Sequence, residues 1–322
     1  DWREVCRRED IDLVYVCTNR ERHTEIALYA MAQGKHVALE VPAANTVAEC
    51  WALVDAAEAT RRHCMMLENC CYDWFELTVL HLIQQGLLGE VFHVEGSYVH
   101  DLRHLNFGER LSYHRLWQME GNPYPTHGLG PVCQALGIHR GDRMAWLTSV
   151  SGGQFNYPTL SQPLPPEAYT LGNINTTLIK TVRNKTILLQ HDISSPRPYT
   201  RRYLISGTEG FAQKGEPHVL TLVSQPDATV DELLKHYEHP FAKEVGELAR
   251  CVGTHGGMDF IMDYRLIYCL QHGLPLDMDV YDAAEWSCII ELSARSVAAG
   301  SQPVEIPDFT RGRWQKLQPC HN

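Results

Sequence analysis

Three short apolar runs fall within the first seventy residues: Asp12–Thr18 (DLVYVCT), His36–Glu40 (HVALE) and His63–Glu68 (HCMMLE). Nearly continuous apolar character over four to six residues is what a strand buried on both faces of a parallel sheet requires. Between the first two runs, Ile26, Ala30 and Met31 recur at helical spacing, and Gly34 closes the segment. Between the second and third, Thr46 and Glu49 form a capping box, and Val47, Trp51 and Val54 make an apolar stripe. Strand, helix, strand, helix, strand at these lengths is the βαβαβ half of a doubly wound nucleotide-binding fold. The glycine-rich turn that opens such a fold, GxGxxG at a strand-to-helix junction, does not occur, and the chain starts at Asp1 rather than methionine. The expectation is an N-terminally truncated Rossmann-type domain over residues 1–71 with its first half missing.

After Cys71 the pattern changes. Phe75, Val79 and Leu82 mark a helix, and EVFHVEGSYVHD alternates as a strand. AWLTSVSGG, NINTTLIKTVRN, KTILLQHDIS and RRYLISGTEGFAQK supply further strands, with turns at Asn184-Lys185 and at Gly207 and Gly210. Residues 72–322 therefore read as an α/β domain with a large open, mainly antiparallel sheet and helices on one face. The tail from Asp231 is helical, with Phe260, Tyr264 and Ile267 as one apolar stripe and Ala283, Trp286, Ile290 and Val297 as another. Pro158–Pro166 is a proline-rich loop.

In open α/β sheets, ligands sit at the carboxyl ends of the strands, so Thr18–His23, Glu40–Pro42 and Glu68–Asn69 are cofactor candidates. Polar βα loops are common, and His23 could simply begin a helix; three such junctions together carry more weight. The most unusual stretch is Glu120–Gln134, EGNPYPTHGLGPVCQ. Pro123 and Pro125 hold the backbone extended, Thr126 can cap a helix, and His127 falls in its first turn beside glycines that leave room for a ligand. His100 and His104 flank Asp101 at ligand-like spacing, but on a strand end rather than a helix, and HExxH is absent, so no metal is expected. GxSxG is absent, Cys70 and Cys71 have no neighbouring base, and no two carboxylates are spaced as an ordinary glycosidase pair.

A formal charge of −11 and a pI near 5.8 oppose binding to nucleic acid or anionic membranes, which need a basic patch. No apolar run approaches the roughly 18 residues of a membrane span. The eleven cysteines lack CxxC spacing, against both a disulfide framework and a zinc knuckle. A small-molecule ligand fits better, and an open sheet face offers a surface for a homo-oligomer. The compartment is not legible.

Six blocks carry a family resemblance: AMAQGKHVALEVPAA, MMLENCCYDWFEL, GNPYPTHGLGPVCQALGIHRGDRM, THGGMDFIMDYRLI, PLDMDVYDAAEWS and PVEIPDFTRGRW. They resemble glycoside hydrolase family 109, the NAD-dependent α-N-acetylgalactosaminidases of the Gfo/Idh/MocA oxidoreductase superfamily. The resemblance runs from about Asp12 to Trp314. It implies a tightly held, recycled NAD and a terminal α-linked N-acetylgalactosamine or related carbohydrate as substrate. Oxidation at C3 would acidify the C2 hydrogen, elimination would expel the C1 group, and water would add back. The resemblance also implies contacts to NAD from Arg20, His23, Glu40, Val41 and Asn69. Tyr98, Arg115, Tyr124, Pro125, Thr126, His127 and Tyr199 would line the sugar site, and Tyr72 or His127 would be the base. Sugar dehydrogenases of the superfamily usually carry Glu-Lys-Pro where this chain has Glu40-Val41-Pro42, and valine transfers no proton. An NAD(P)-dependent sugar dehydrogenase and a non-catalytic sugar-binding paralogue are the alternatives.

Overall fold

The computed structural model describes residues 1–103, 115–158 and 165–317; His104 and residues 159–164 of the proline-rich loop lie outside them. The first sheet has three parallel strands in the order β1 (Leu13–Val16), β2 (His36–Leu39), β3 (Cys64–Met66). After the short helix α1 (Trp2–Arg7), α2 (His23–Ala32) and α3 (Val47–Thr60) make the two crossovers. Thr46 and Glu49 form the expected capping box at the start of α3. Every side chain of β3, and all of β2 except His36, is buried, as a strand covered on both faces must be.

The second sheet has eight strands in the order β10-β9-β8-β4-β7-β6-β5-β11. These are β4 (Val91–Val99), β5 (Met144–Ser151), β6 (Asn175–Thr181), β7 (Thr186–Asp192), β8 (Leu204–Gly207), β9 (Gly210–Gln213), β10 (Val219–Leu222) and β11 (Val304–Glu305). All pairs are antiparallel except β4 with β7. After α4 (Trp74–Gln84), helix α5 (Thr126–Leu136) packs on β4. The tail adds α6 (Val230–His236), α7 (Pro240–Val252), α8 (Met258–His272), α9 (Val280–Ser287) and α10 (Ile289–Ala298). Helix α10 lies against β5, whereas α9 crosses to the first sheet and packs on α3 and β3. The core is thus continuous between the two sheets, with Trp286 of α9 fully buried.

In α8 the buried face is Ile261, Met262, Arg265, Leu266 and Cys269, not Phe260, Tyr264 and Ile267; Ile267 is 40% exposed. The error is one of phase. Arg265 faces inward because Asp277 binds its guanidinium twice, at 2.8 and 2.9 Å, so a charged residue occupies a core position that apolar patterning assigns to solvent.

The glycines of THGLG serve packing rather than room for a ligand. A β-carbon on Gly96 of β4 would meet the carbonyl of Gly128 in α5, and one on Gly128 would lie 2.5 Å from the Ser97 amide nitrogen. Gly130 is enclosed in the same way by Glu68, Trp286 and Cys71. Small residues on both sides let α5 approach β4 backbone to backbone, which sets where the first turn of α5 sits. Thr126 is the first residue of the helix rather than its cap; Pro125 occupies the cap position with no side-chain bond to the helix.

Candidate active site

Beyond β1 and β2 lies a cavity of about 240 Å³, lined on one side by Thr18, Asn19, Arg20, Glu40 and Val41 and on the other by Tyr98 and Tyr124. Arg20 is buried; its Nε donates to Asn45 at 2.6 Å and its Nη1 to the Pro123 carbonyl at 2.9 Å. Burial lowers its pKa to about 10, and Nη2 is left without a partner. Burial also raises the Glu40 carboxyl, which the Val41 amide only partly offsets by donating at 3.0 Å. His23 lines the cavity too, but its ring nitrogens lie 2.8 Å from the Pro42 carbonyl and 3.0 Å from that of Thr18. It clamps the ends of β1 and β2 and has no nitrogen left for a ligand.

Several expected residues are not in the lining of this cavity: Arg115, His127 and Tyr199 stand outside it, Pro125 and Thr126 are buried, and Asn69 and Tyr72 lie elsewhere. Asn69 does not line this cavity; its amide donates to Asp259 at 2.6 Å. Tyr72, 2% exposed, turns away in a 3₁₀ segment, and its hydroxyl donates to Asp277 at 3.2 Å beside a separate cavity. With its hydroxyl on Asp277 and outside the lining of the first cavity, Tyr72 is withdrawn as a base by position. Arg115 sits at the rim, exposed and 3.0 Å from Glu21, next to Leu116 of the cavity wall.

The carboxyl end of β3 contributes through Glu68, expected there as a cofactor candidate but found paired with a histidine instead. Glu68, with no exposed side-chain surface, receives Nδ1 of His127 at 2.8 and 3.0 Å. The other ring nitrogen, Nε2, lies 3.4 Å from the Tyr124 hydroxyl. Burial alone would raise the Glu68 carboxyl, but His127 and Cys70 outweigh it and hold it below the ordinary range. An ionised Glu68 keeps the proton on Nδ1 and leaves Nε2 as the acceptor, an assignment made from the hydrogen-bond network. Pro131 stands four residues after His127 and cannot supply the usual helical donor to its carbonyl. The signal for Glu68 was a carboxylate ending an apolar strand; its partner is 59 residues away.

Aromatic rings complete the wall. The Tyr98 ring lies 4.8 Å from Tyr124, 5.6 Å from His127 and 6.5 Å from Tyr199, centroid to centroid. Tyr199, 52% exposed, stands at the outer edge. His191, fully buried and stacked on Tyr98, is driven by burial to a pKa of about 4 and stays neutral. Among the described residues, ligand-type atoms come within 4.8 Å of one another in Glu68, Cys70 and His127 and in His139, Asp279 and Asp282. In both groups the imidazole already pairs with a carboxylate, which accounts for the grouping without an ion.

Residues 72–316 match the model of the glycosyl hydrolase 109 C-terminal domain, and residues 1–68 match that of the oxidoreductase family NAD-binding Rossmann fold. The chain belongs to glycoside hydrolase family 109. A family 109 protein of Phocaeicola vulgatus is 53% identical over 98% of this chain and 81% of its own length. A Bacteroides fragilis protein named alpha-N-acetylgalactosaminidase is 52% identical over 99% of this chain and 79% of its own. Among solved structures, levoglucosan dehydrogenase in complex with NADH and levoglucosan superposes with a TM-score of 0.75 at 19% identity, covering 96% of this chain and 84% of that one. At that identity the likeness shows the fold, which this family 109 chain shares with NAD-binding oxidoreductases.

Proposed function

We propose that this family 109 chain hydrolyses terminal α-linked N-acetylgalactosamine, or a closely related sugar, with NAD as a recycled cofactor. The observation that carries the reading is the Glu68–His127–Tyr124 chain, whose phenol lines the cavity at the ends of the Rossmann strands. The cofactor side of the cavity fits a nucleotide. Arg20 offers an unmet buried donor there, and Glu40 an acceptor at the end of β2. Bound there, NAD would take a hydride from the sugar ring and later return it, so that no net oxidation occurs.

The chain's own residues then handle protons. Tyr124 lines the cavity and His127 stands behind it. A hydrogen on C2, acidified by a neighbouring ketone, passes to the Tyr124 oxygen as the hydroxyl proton passes to Nε2 of His127. Burial pushes the Tyr124 phenol well above its usual pKa, so phenolate does not persist and the two transfers belong to one step. Glu68 stabilises the imidazolium, as the carboxylate of a catalytic triad does. Val41 presents no proton-transferring group at the position where the dehydrogenases usually carry lysine. The outward face of the eight-stranded sheet exposes Trp146, Val150 and Leu178, and it is the surface through which we expect the chain to self-associate.

The test uses the NAD-loaded protein with 4-nitrophenyl α-N-acetylgalactosaminide. Release of nitrophenol without net NADH, abolished in Tyr124→Phe and His127→Ala, is the expected result. NADH accumulating in step with oxidised free sugar would replace the reading with a dehydrogenase.

A further inference from the structure

Elimination followed by addition at adjacent sugar carbons needs two proton-handling groups. One takes the C2 hydrogen. The other supplies a proton to the departing oxygen on C1 and takes one from the incoming water. The Glu68–His127–Tyr124 chain provides the first. A second phenol–imidazole pair stands on the same wall: the Tyr98 hydroxyl lies 3.1 Å from Nδ1 of His100, and the Tyr98 and Tyr124 rings are 4.8 Å apart. Both phenols line the cavity, and each imidazole lies behind its own phenol.

The two pairs differ in what stands behind the imidazole. His127 is backed by the buried carboxylate of Glu68. The acid next to His100, Asp101, binds the Arg103 guanidinium through both oxygens at 2.9 and 2.8 Å. Burial lowers the pKa of His100, opposed in part by Asp101. Among the described residues no carboxylate is dedicated to His100, which makes its pair the weaker base, and its phenol is the one that keeps a proton to give. His100 is held in place at its backbone by the Asp192 carbonyl at 2.9 Å and on its side by the Tyr199 ring at 5.0 Å.

We propose that Tyr98 is the acid that protonates the leaving group and that His100 is its positioning residue, an inference that rests on the glycosidase reading above. As the C1–O bond breaks, its electron pair goes to the leaving oxygen, which takes the Tyr98 hydroxyl proton, while the C2–H pair becomes the C1–C2 double bond. Nδ1–H of His100 steadies the resulting phenolate. When water adds, its oxygen bonds to C1, its proton returns to Tyr98, and the Tyr124 hydroxyl gives its proton to C2 as His127 returns its own to the Tyr124 oxygen. Both tyrosines end as they began.

The experiment compares two substrates whose leaving groups differ in their need for a proton: methyl and 4-nitrophenyl α-N-acetylgalactosaminide. Tyr98→Phe should lower kcat/KM for the methyl glycoside by about 100-fold or more, and for the nitrophenyl glycoside by about tenfold at most, since nitrophenolate leaves without help. His100→Phe should show the same selective loss, on the order of tenfold and in kcat rather than KM. Activity retained on the nitrophenyl glycoside reports that each variant is folded. Equal losses on both substrates, or no loss on either, would overturn the assignment while the glycosidase reading stands. A wild-type holoenzyme that cleaves neither substrate would overturn both.

Discussion

Nδ1 of His127 lies 2.8 Å from Oε1 of Glu68, a carboxylate with no side-chain surface open to solvent. Removing its charge but not its shape isolates what it does. Glu68→Gln should cut kcat by about 10²- to 10⁴-fold with KM little changed, because the amide can no longer stabilise the imidazolium or hold one tautomer. Steady-state kinetics on the nitrophenyl glycoside measure this. A change within about threefold would show that the pair is structural.

Tyr72 makes the opposite case. Tyr72→Phe removes one hydrogen bond to Asp277, which Arg265 continues to bind at 2.8 and 2.9 Å. We expect kcat within about twofold of wild type and a stability loss of about 1 kcal/mol, read by denaturant unfolding. A large fall in kcat without unfolding would return Tyr72 to the chemistry.

His139 titrates far from its ordinary range. It is buried within 3.2 to 3.4 Å of Asp279, Asp282 and Glu285; burial opposes the charge, but Asp282 and Asp279 outweigh it and raise the pKa from 6.5 to about 10. A raised folded-state pKa means that the stabilisation is fully present below pH 6.5 and is lost as pH climbs towards 10. Stability should therefore decline through that window by up to roughly 1.4 kcal/mol per pH unit. Thermal unfolding of His139→Gln across the same range should give a visibly flatter profile.

Gly128 fixes the seat of α5. Gly128→Ala would place a carbon 2.5 Å from the Ser97 amide nitrogen, so the helix must lift from the sheet. We expect a loss on the order of 2 kcal/mol, accompanied by reduced kcat because the same turn carries His127. Calorimetry and kinetics on one preparation test whether the two effects occur together.

The exposed sheet face predicts assembly. Leu178 is 40% exposed in β6 and can be replaced without entering the core. Leu178→Glu should shift the mass measured by light scattering from oligomer towards monomer, with unfolding unchanged. An unaltered mass would place any interface elsewhere.

Much of the first sheet and many turns were legible because their causes are local. Apolar runs made β1 to β3, the Thr46–Glu49 box started α3, and Asn184 turned β6 into β7. Tyr124 and His127 stood out through their proline-framed approach. Glu68 was visible only as a polar strand end, since nothing nearby in the chain reveals the histidine 59 residues on. Tyr72 misled because a short 3₁₀ turn redirects its side chain towards Asp277, 205 residues away.

The amino-acid sequence by itself determined the strand and helix periods, the capping of α3, the family, and which residue types reach the strand ends. Local propensity and side-chain chemistry settle those at short range. Tertiary structure alone decided which imidazole meets which acid and which phenol faces the cavity. Those pairings depend on the backbone contact between Gly96 and Gly128, and on α5 bringing its first turn against the end of β3. A few ångströms of helix placement select the partners, and no single segment encodes that distance.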